Sequence, residues 1–203
     1  LEEFATHPKT PKAVLKLADM LQHKPEQCVD ACDLYQVFLD RWPNHASRHK
    51  AVDGLLNSLD HIYFSSDEVS KKEKKGQYDR LNDDFYAFLA IGRHNYVNKT
   101  AKPRKSVDVF EALLVNRPSH HDRIYAQEGL ACSLIRLREH DRAVLAVDEL
   151  KLQYTQHPHY NDAMLTTADY LRSYDYHQAA IQLYQVISEK SLTDDQTITL
   201  LRG

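Results

Sequence analysis

The stretch Asp33-Leu34-Tyr35-Gln36-Val37-Phe38-Leu39-Asp40-Arg41-Trp42-Pro43-Asn44-His45 reads as the end of an amphipathic helix followed by the start of another. Leu34, Tyr35, Phe38 and Leu39 recur at helical spacing, and Trp42-Pro43 stops the run, because proline has no N–H and its ring clashes with the preceding turn. The same phrase returns as Phe110-Glu111-Ala112-Leu113-Leu114-Val115-Asn116-Arg117-Pro118-Ser119-His120. It returns again around Tyr154-Thr155-Gln156-His157-Pro158, and a fainter copy, Phe4-Ala5-Thr6-His7-Pro8, opens the chain. The four prolines at 8, 43, 118 and 158 are 35, 75 and 40 residues apart, so the middle gap holds two units. A period of roughly 35–40 residues is the mark of a helical solenoid.

Composition agrees with helices. The 203 residues are 42% apolar and 27% charged, with only 5 glycines, fewer than the turns of a sheet protein of this length ask for. A net charge of −3 points to neither nucleic acid nor a membrane surface. The longest apolar run, Phe85-Tyr86-Ala87-Phe88-Leu89-Ala90-Ile91, is far short of the ~20 residues that span a bilayer. The chain begins at Leu1 and ends soon after the helix-start phrase Ser191-Leu192-Thr193-Asp194-Asp195, so it is expected to be part of a longer protein.

Taken in order, Thr10 to Gln22 is a helix with Pro11 in its first turn and Val14, Leu15, Ala18 and Leu21 on one face. Lys24-Pro25-Glu26 breaks the chain before the helix that ends at Trp42. The next helix runs from about His45 to Phe64. Ser65 to Glu68 matches a capping box, yet Ser70 to Gly76 is almost wholly polar, which makes 43–80 the degenerate unit. Leu81, Phe85, Phe88, Leu89 and Gly92 are expected on one face of a further helix. Asn98-Lys99-Thr100 matches a glycosylation acceptor within a second break, and Val107, Phe110, Leu113 and Leu114 line the helix after it. Helices follow at about 120–138, 141–155, 160–174 and 176–189, joined in pairs by short polar turns.

These pairs resemble the tetratricopeptide repeat, in which two antiparallel helices of 34 residues pack through small residues and a neighbouring aromatic. Ala31, Tyr35, Phe38 and Pro43 stand at the family's spacing, as do Ser106, Phe110, Leu113 and Pro118. Ala143, Val147 and Leu150, and then Tyr176, Ala179, Leu183 and Val186, continue the pattern. The chain departs from it in lacking the strong aromatic of the first helix, in variable unit length and at residues 65–80. The resemblance implies an all-α fold, a right-handed superhelix of antiparallel helix pairs. Its units fall at about 8–42, 43–80, 81–117, 118–157 and 158–192 of a single domain. A narrower likeness is to tetratricopeptide proteins of the bacterial cell envelope, of the outer-membrane assembly lipoprotein and Tol–Pal coordinator types. It implies a periplasmic or envelope location, with membrane association through a partner or an anchor preceding Leu1.

The resemblance also implies function. Such solenoids bind an extended peptide or partner helix in the groove lined by the first helix of each pair. Aligned so, Tyr125, Glu128, Cys132, Arg136, Asn161, Met164, Ala168 and Arg172 face that groove in the last two units, with either Gly129 or Ala131 as the small residue of the first helix. The expected partner-binding set is Tyr125, Glu128, Arg136, Asn161, Met164 and Arg172. Arg136 and Arg172 would be the polar anchors, since a guanidinium holds a carboxylate or carbonyl in fixed geometry.

Catalytic signals are missing: there is no Gly-rich phosphate loop, GxSxG or HExxH, so a non-enzymatic protein with no cofactor is expected. Cys28, Cys32 and Cys132 lack CxxC spacing and read as small buried residues. Twelve histidines keep a second class open, a metal-binding protein. His45 and His49 are four apart at a helix start, and His120-His121 and His157-Pro158-His159 stand at equivalent turns. A scaffold arm of a larger enzyme or secretion complex is the remaining alternative. Tyr170, Tyr174 and Tyr176 read as packing at a unit junction rather than as a stacking platform, and the lysines at 71, 72, 74 and 75 as a solvated segment.

Overall fold

A computed structural model describes residues 7, 9–64, 84–97 and 102–187. Among the described residues every regular element is a helix, and none is a strand. No helix among them is long and apolar enough to cross a membrane. The chain divides into two compact units, Leu1–Ile91 and Gly92–Gly203. The capping box and lysines of 65–76, Leu81 and the acceptor at Asn98 lie outside the described residues.

The first unit holds α1 (Thr10–Gln22), a short 3-10 turn (Pro25–Gln27), α2 (Cys28–Arg41), α3 (Arg48–Phe64) and the first part of α4 (Asp84–Val97). Helix α2 packs on α1 and on α3, and α1 touches α3. Val14, Leu15 and Ala18 are buried as their spacing predicts, as are Ala31, Tyr35, Phe38 and Leu39, while Leu21 and Leu34 are half-buried. Tyr35 is placed by a missing side chain: a Cβ at Gly54 would stand 2.2 Å from its Cζ. Its hydroxyl donates to Asp19 Oδ1 at 2.7 Å, so α1 and α2 are tied as well as packed. Arg48 is buried, and its Nη1 donates to the Leu39 carbonyl at 2.8 Å, satisfying an acceptor in the last turn of α2.

In α4 the expected face is borne out at Phe85, Leu89 and Gly92, and differs at Phe88. Phe85, Tyr86, Leu89 and Tyr96 are buried, whereas Phe88 is exposed. The buried Tyr86 hydroxyl accepts from Arg48 Nη2 at 3.5 Å.

The second unit holds the rest of α4, then α5 (Pro103–Asn116), α6 (Arg123–Leu137), α7 (His140–Gln153), α8 (Tyr160–Ser173) and α9 (His177–Val186). Helix α6 is its centre, buried from Ile124 to Ile135 against α5, α7 and α8. Helices α6 and α7 are antiparallel: their turn joins Leu137 to His140, while at the far end Arg123 Nη1 donates to Gln153 Oε1 at 3.4 Å. Helices α8 and α9 pair likewise, with the Tyr184 hydroxyl donating to Asp169 at 2.7 Å. Both turns use a left-handed residue, Arg138 (φ 59°) and Asp175 (φ 70°), and both residues stand 18 positions after a turn histidine, His120 and His157.

Val107, Phe110, Leu113 and Leu114 are buried on α5, as expected. Phe110 lies between two glycines, since a Cβ at Gly92 or at Gly129 would stand 2.5 or 2.4 Å from its ring. Of the two candidate small residues in α6, Gly129 is therefore the one that lets the aromatic of the preceding helix in.

Candidate functional site

A turn with one set of hydrogen bonds opens α1, α3, α6 and α8. In each, a histidine ring Nδ1 accepts the N–H of the residue two positions on: Lys9 to His7 at 3.2 Å, Ser47 to His45 at 3.0 Å, Asp122 to His120 at 3.1 Å and His159 to His157 at 3.1 Å. The carbonyl of each histidine accepts the N–H of the residue three on, which is the first of the helix. The imidazole thus does the work that an Asx side chain does in an Asx-turn, satisfying one of the N–H groups that a helix start leaves without a partner. His7, His45, His120 and His157 are 38, 75 and 37 residues apart, a steadier period than the prolines give.

Two of these turns, those before α6 and α8, come together. Tyr125 and His159 stack at 4.0 Å with their planes 18° apart. His159 is buried, with Nε2 2.8 Å from Glu128 Oε2 and Nδ1 3.7 Å from Asp162 Oδ2. His157 meets Tyr125 edge-on at 6.4 Å and His121 at 5.2 Å.

The six residues expected to bind a partner are placed as follows. Tyr125 and Glu128 are buried in this aromatic and histidine layer, and Met164 is wholly buried in the packing of α8. Asn161 is half-buried in the first turn of α8. Arg136 donates through Nη1 to the Tyr96 carbonyl, and Arg172 Nη2 stands 3.2 Å from Asp169 Oδ1. The structure brings Tyr125 and Glu128 together through His159, and it sets Arg136 to hold the end of α4. The ring of Tyr96 fills the adjoining space, 5.9 Å from Phe110 and 5.9 Å from Tyr170. Burial pushes the Tyr96 phenol up, and the nearby Glu128 and Cys132 push it further. Burial likewise raises the Cys132 thiol, with Glu128 adding to it, and lifts Tyr170 to about 12.

All three cysteines are buried thiols. Tyr170 and Tyr174 stack at 6.2 Å, and Tyr176 stacks on His140 at 5.5 Å, which joins α9 to α7. The His45 ring, besides its turn bond, packs edge-on to Phe38 at 5.2 Å.

On another side of the same unit, α7 and α9 bound a shallow groove of about 110 Å³. Its lining includes Ile135, Ala143, Val144, Val147, Leu171 and Leu183, and His140, Asp148, Lys151 and Gln182 supply polar groups. The sequence pattern marked Ala143, Val147 and Leu183 as packing residues. It did not mark the groove, because small residues on two neighbouring helices leave space only where no third side chain reaches in.

Comparison with protein-family models, with curated proteins and with solved structures yields no match to this chain.

Proposed function

We propose that this chain is a non-enzymatic protein-interaction module, a tetratricopeptide-like array of helix pairs that holds a peptide or partner protein. The array reading rests on the repeated turn and on packing that links α1 to α2 and α3, and α6 to α7 and α8. The partner site we assign is the α7–α9 groove rather than the face carrying Tyr125, Glu128 and Met164. Those three side chains are buried, and a buried side chain gives a partner nothing to touch.

One observation carries this reading. The groove is lined mainly by apolar side chains, with polar groups from His140, Asp148, Lys151 and Gln182, and Val144 on its wall is 45% exposed. A groove between two parallel rows of side chains suits the apolar face of an amphipathic helix, whose anchors recur every three or four residues. Val144→Asp puts a charge on the groove wall at a partly exposed position. Capture of the partner from the native host should fall tenfold or more for a hot-spot loss of about 1.4 kcal/mol. Leu152→Asp, 80% exposed and outside the groove, is the control. Equal capture by both folded variants would place the site elsewhere.

A further inference from the structure

The turns that open α6 and α8 bring three metal-binding groups to one point. A ring nitrogen of His121, a ring nitrogen of His157 and a carboxylate oxygen of Asp122 lie within 4.8 Å of one another. Asp122 is wholly buried, His157 is half-buried and His121 is exposed. A buried carboxylate facing two imidazoles is a different case from acidic groups scattered on a surface. The donors come from two turns that lie 36 residues apart in the chain, so what joins them joins two helix pairs.

We propose that His121, Asp122 and His157 form a site for a divalent transition metal of the zinc class. Two imidazole nitrogens and one carboxylate oxygen are a donor set that zinc accepts, whereas magnesium and calcium take oxygen donors. Ligands of a tetrahedral zinc at about 2.0–2.1 Å stand roughly 3.3 Å apart, so the three groups need close by no more than about 1.5 Å on binding. The exposed His121 side chain has the freedom to make that movement. Tyr125, held by its stack on His159, stands edge-on to His157 and limits the ring's tilt. Three protein ligands leave the fourth position to water or to a donor from a partner.

The turn hydrogen bond sets which nitrogen serves at His157. Its Nδ1 accepts the His159 N–H, so ligation uses Nε2. A neutral ring bound through Nε2 carries its hydrogen on Nδ1, which can then no longer accept. The His159 N–H bond therefore opens as the metal binds, and the site couples metal occupancy to the first turn of α8.

The test is calorimetric titration of the whole chain with zinc chloride in a non-chelating buffer, with magnesium chloride in parallel. Expected are one equivalent of zinc bound, no magnesium, and at least tenfold weaker zinc binding by His121→Ala. The zinc-dependent rise in Tm should shrink in that variant, and amide exchange at His159 should speed up when zinc is added to the wild type. His157→Ala should match His121→Ala in zinc affinity. Should it not fold, His121→Ala decides alone, because the His121 side chain is exposed. His23→Ala, outside the donor set, should bind as the wild type does. No zinc bound at one equivalent, or binding left unchanged by His121→Ala, overturns the proposal.

Discussion

The ring of Phe110 occupies the space that a side chain at position 129 would need: a Cβ on Gly129 would stand 2.4 Å from Phe110 Cζ. Tyr35 and Gly54 repeat the relationship at the same sequence separation, 19 residues, and 75 residues earlier in the chain. Two more matches share the 75-residue offset. Ser58 and Ser133 each donate their hydroxyl to the carbonyl of that glycine, at 3.0 and 2.7 Å, and His45 and His120 make the same turn bond.

Gly129→Ala should therefore destabilise the fold. Alanine is worth about 1 kcal/mol more than glycine inside a helix, yet overpacking a closed core costs about 1–3 kcal/mol. Phe110 is wholly buried between two glycines and has nowhere to retreat. The urea midpoint should drop, and Gly129→Ala, Phe110→Leu should recover part of the loss.

Glu128→Ala should cost about 1–3 kcal/mol, because it leaves His159 Nε2 buried without its carboxylate. Glu128→Gln keeps an acceptor at the same place and should lose less. Chemical denaturation of the two variants side by side checks the order.

Alkaline pH should unfold the protein through its tyrosines. Burial raises the phenols of Tyr35 and Tyr96, with Asp19 adding to the first and Glu128 to the second. Tyr170 and Tyr184 are lifted to about 12, mainly by burial. An unfolded tyrosine ionises near 10. A folded value above the unfolded one favours the native state fully below about pH 10, and the contribution is lost as pH rises from there toward 12 and beyond. Absorbance at 295 nm should lag behind that of free tyrosine and then rise together with the loss of helical circular dichroism.

Asp175→Gly should raise the melting temperature. Asp175 sits at φ 70°, where a side chain is strained and glycine is not. Its partner Arg138, 3.6 Å away, is exposed, and an exposed pair contributes little. A gain of about 0.5–1 kcal/mol is expected, partly offset by the greater freedom of glycine in the unfolded chain.

Much of the helical architecture was legible because helix ends and apolar spacing are local. Thr10–Gln22 agrees at both ends, and the four helices from α6 to α9 agree within a few residues. The turn histidines were seen as a count and as positions, but not as the device that opens the helices, since a ring nitrogen accepting an N–H has no spacing signature within one turn. Their 38, 75 and 37 period was the signal that could have revealed it. Met164 and Tyr125 were expected in an open groove from their place on the first helix of a pair. Whether that face stays open depends on what reaches it from elsewhere, and here the ring of Tyr96 and the stack on His159 fill it. Such long-range contacts leave no mark in the spacing of either helix.

The most direct test of the interaction account is photocrosslinking in the native host, with a photoreactive amino acid placed in turn at Val144, at Gln182 and at the exposed Phe88. The account predicts one and the same partner crosslinked from Val144 and Gln182, lost when Ala143→Trp fills the groove, and absent from Phe88. Crosslinks that are strongest from Phe88, or unaffected by Ala143→Trp in a protein that remains folded, would contradict it.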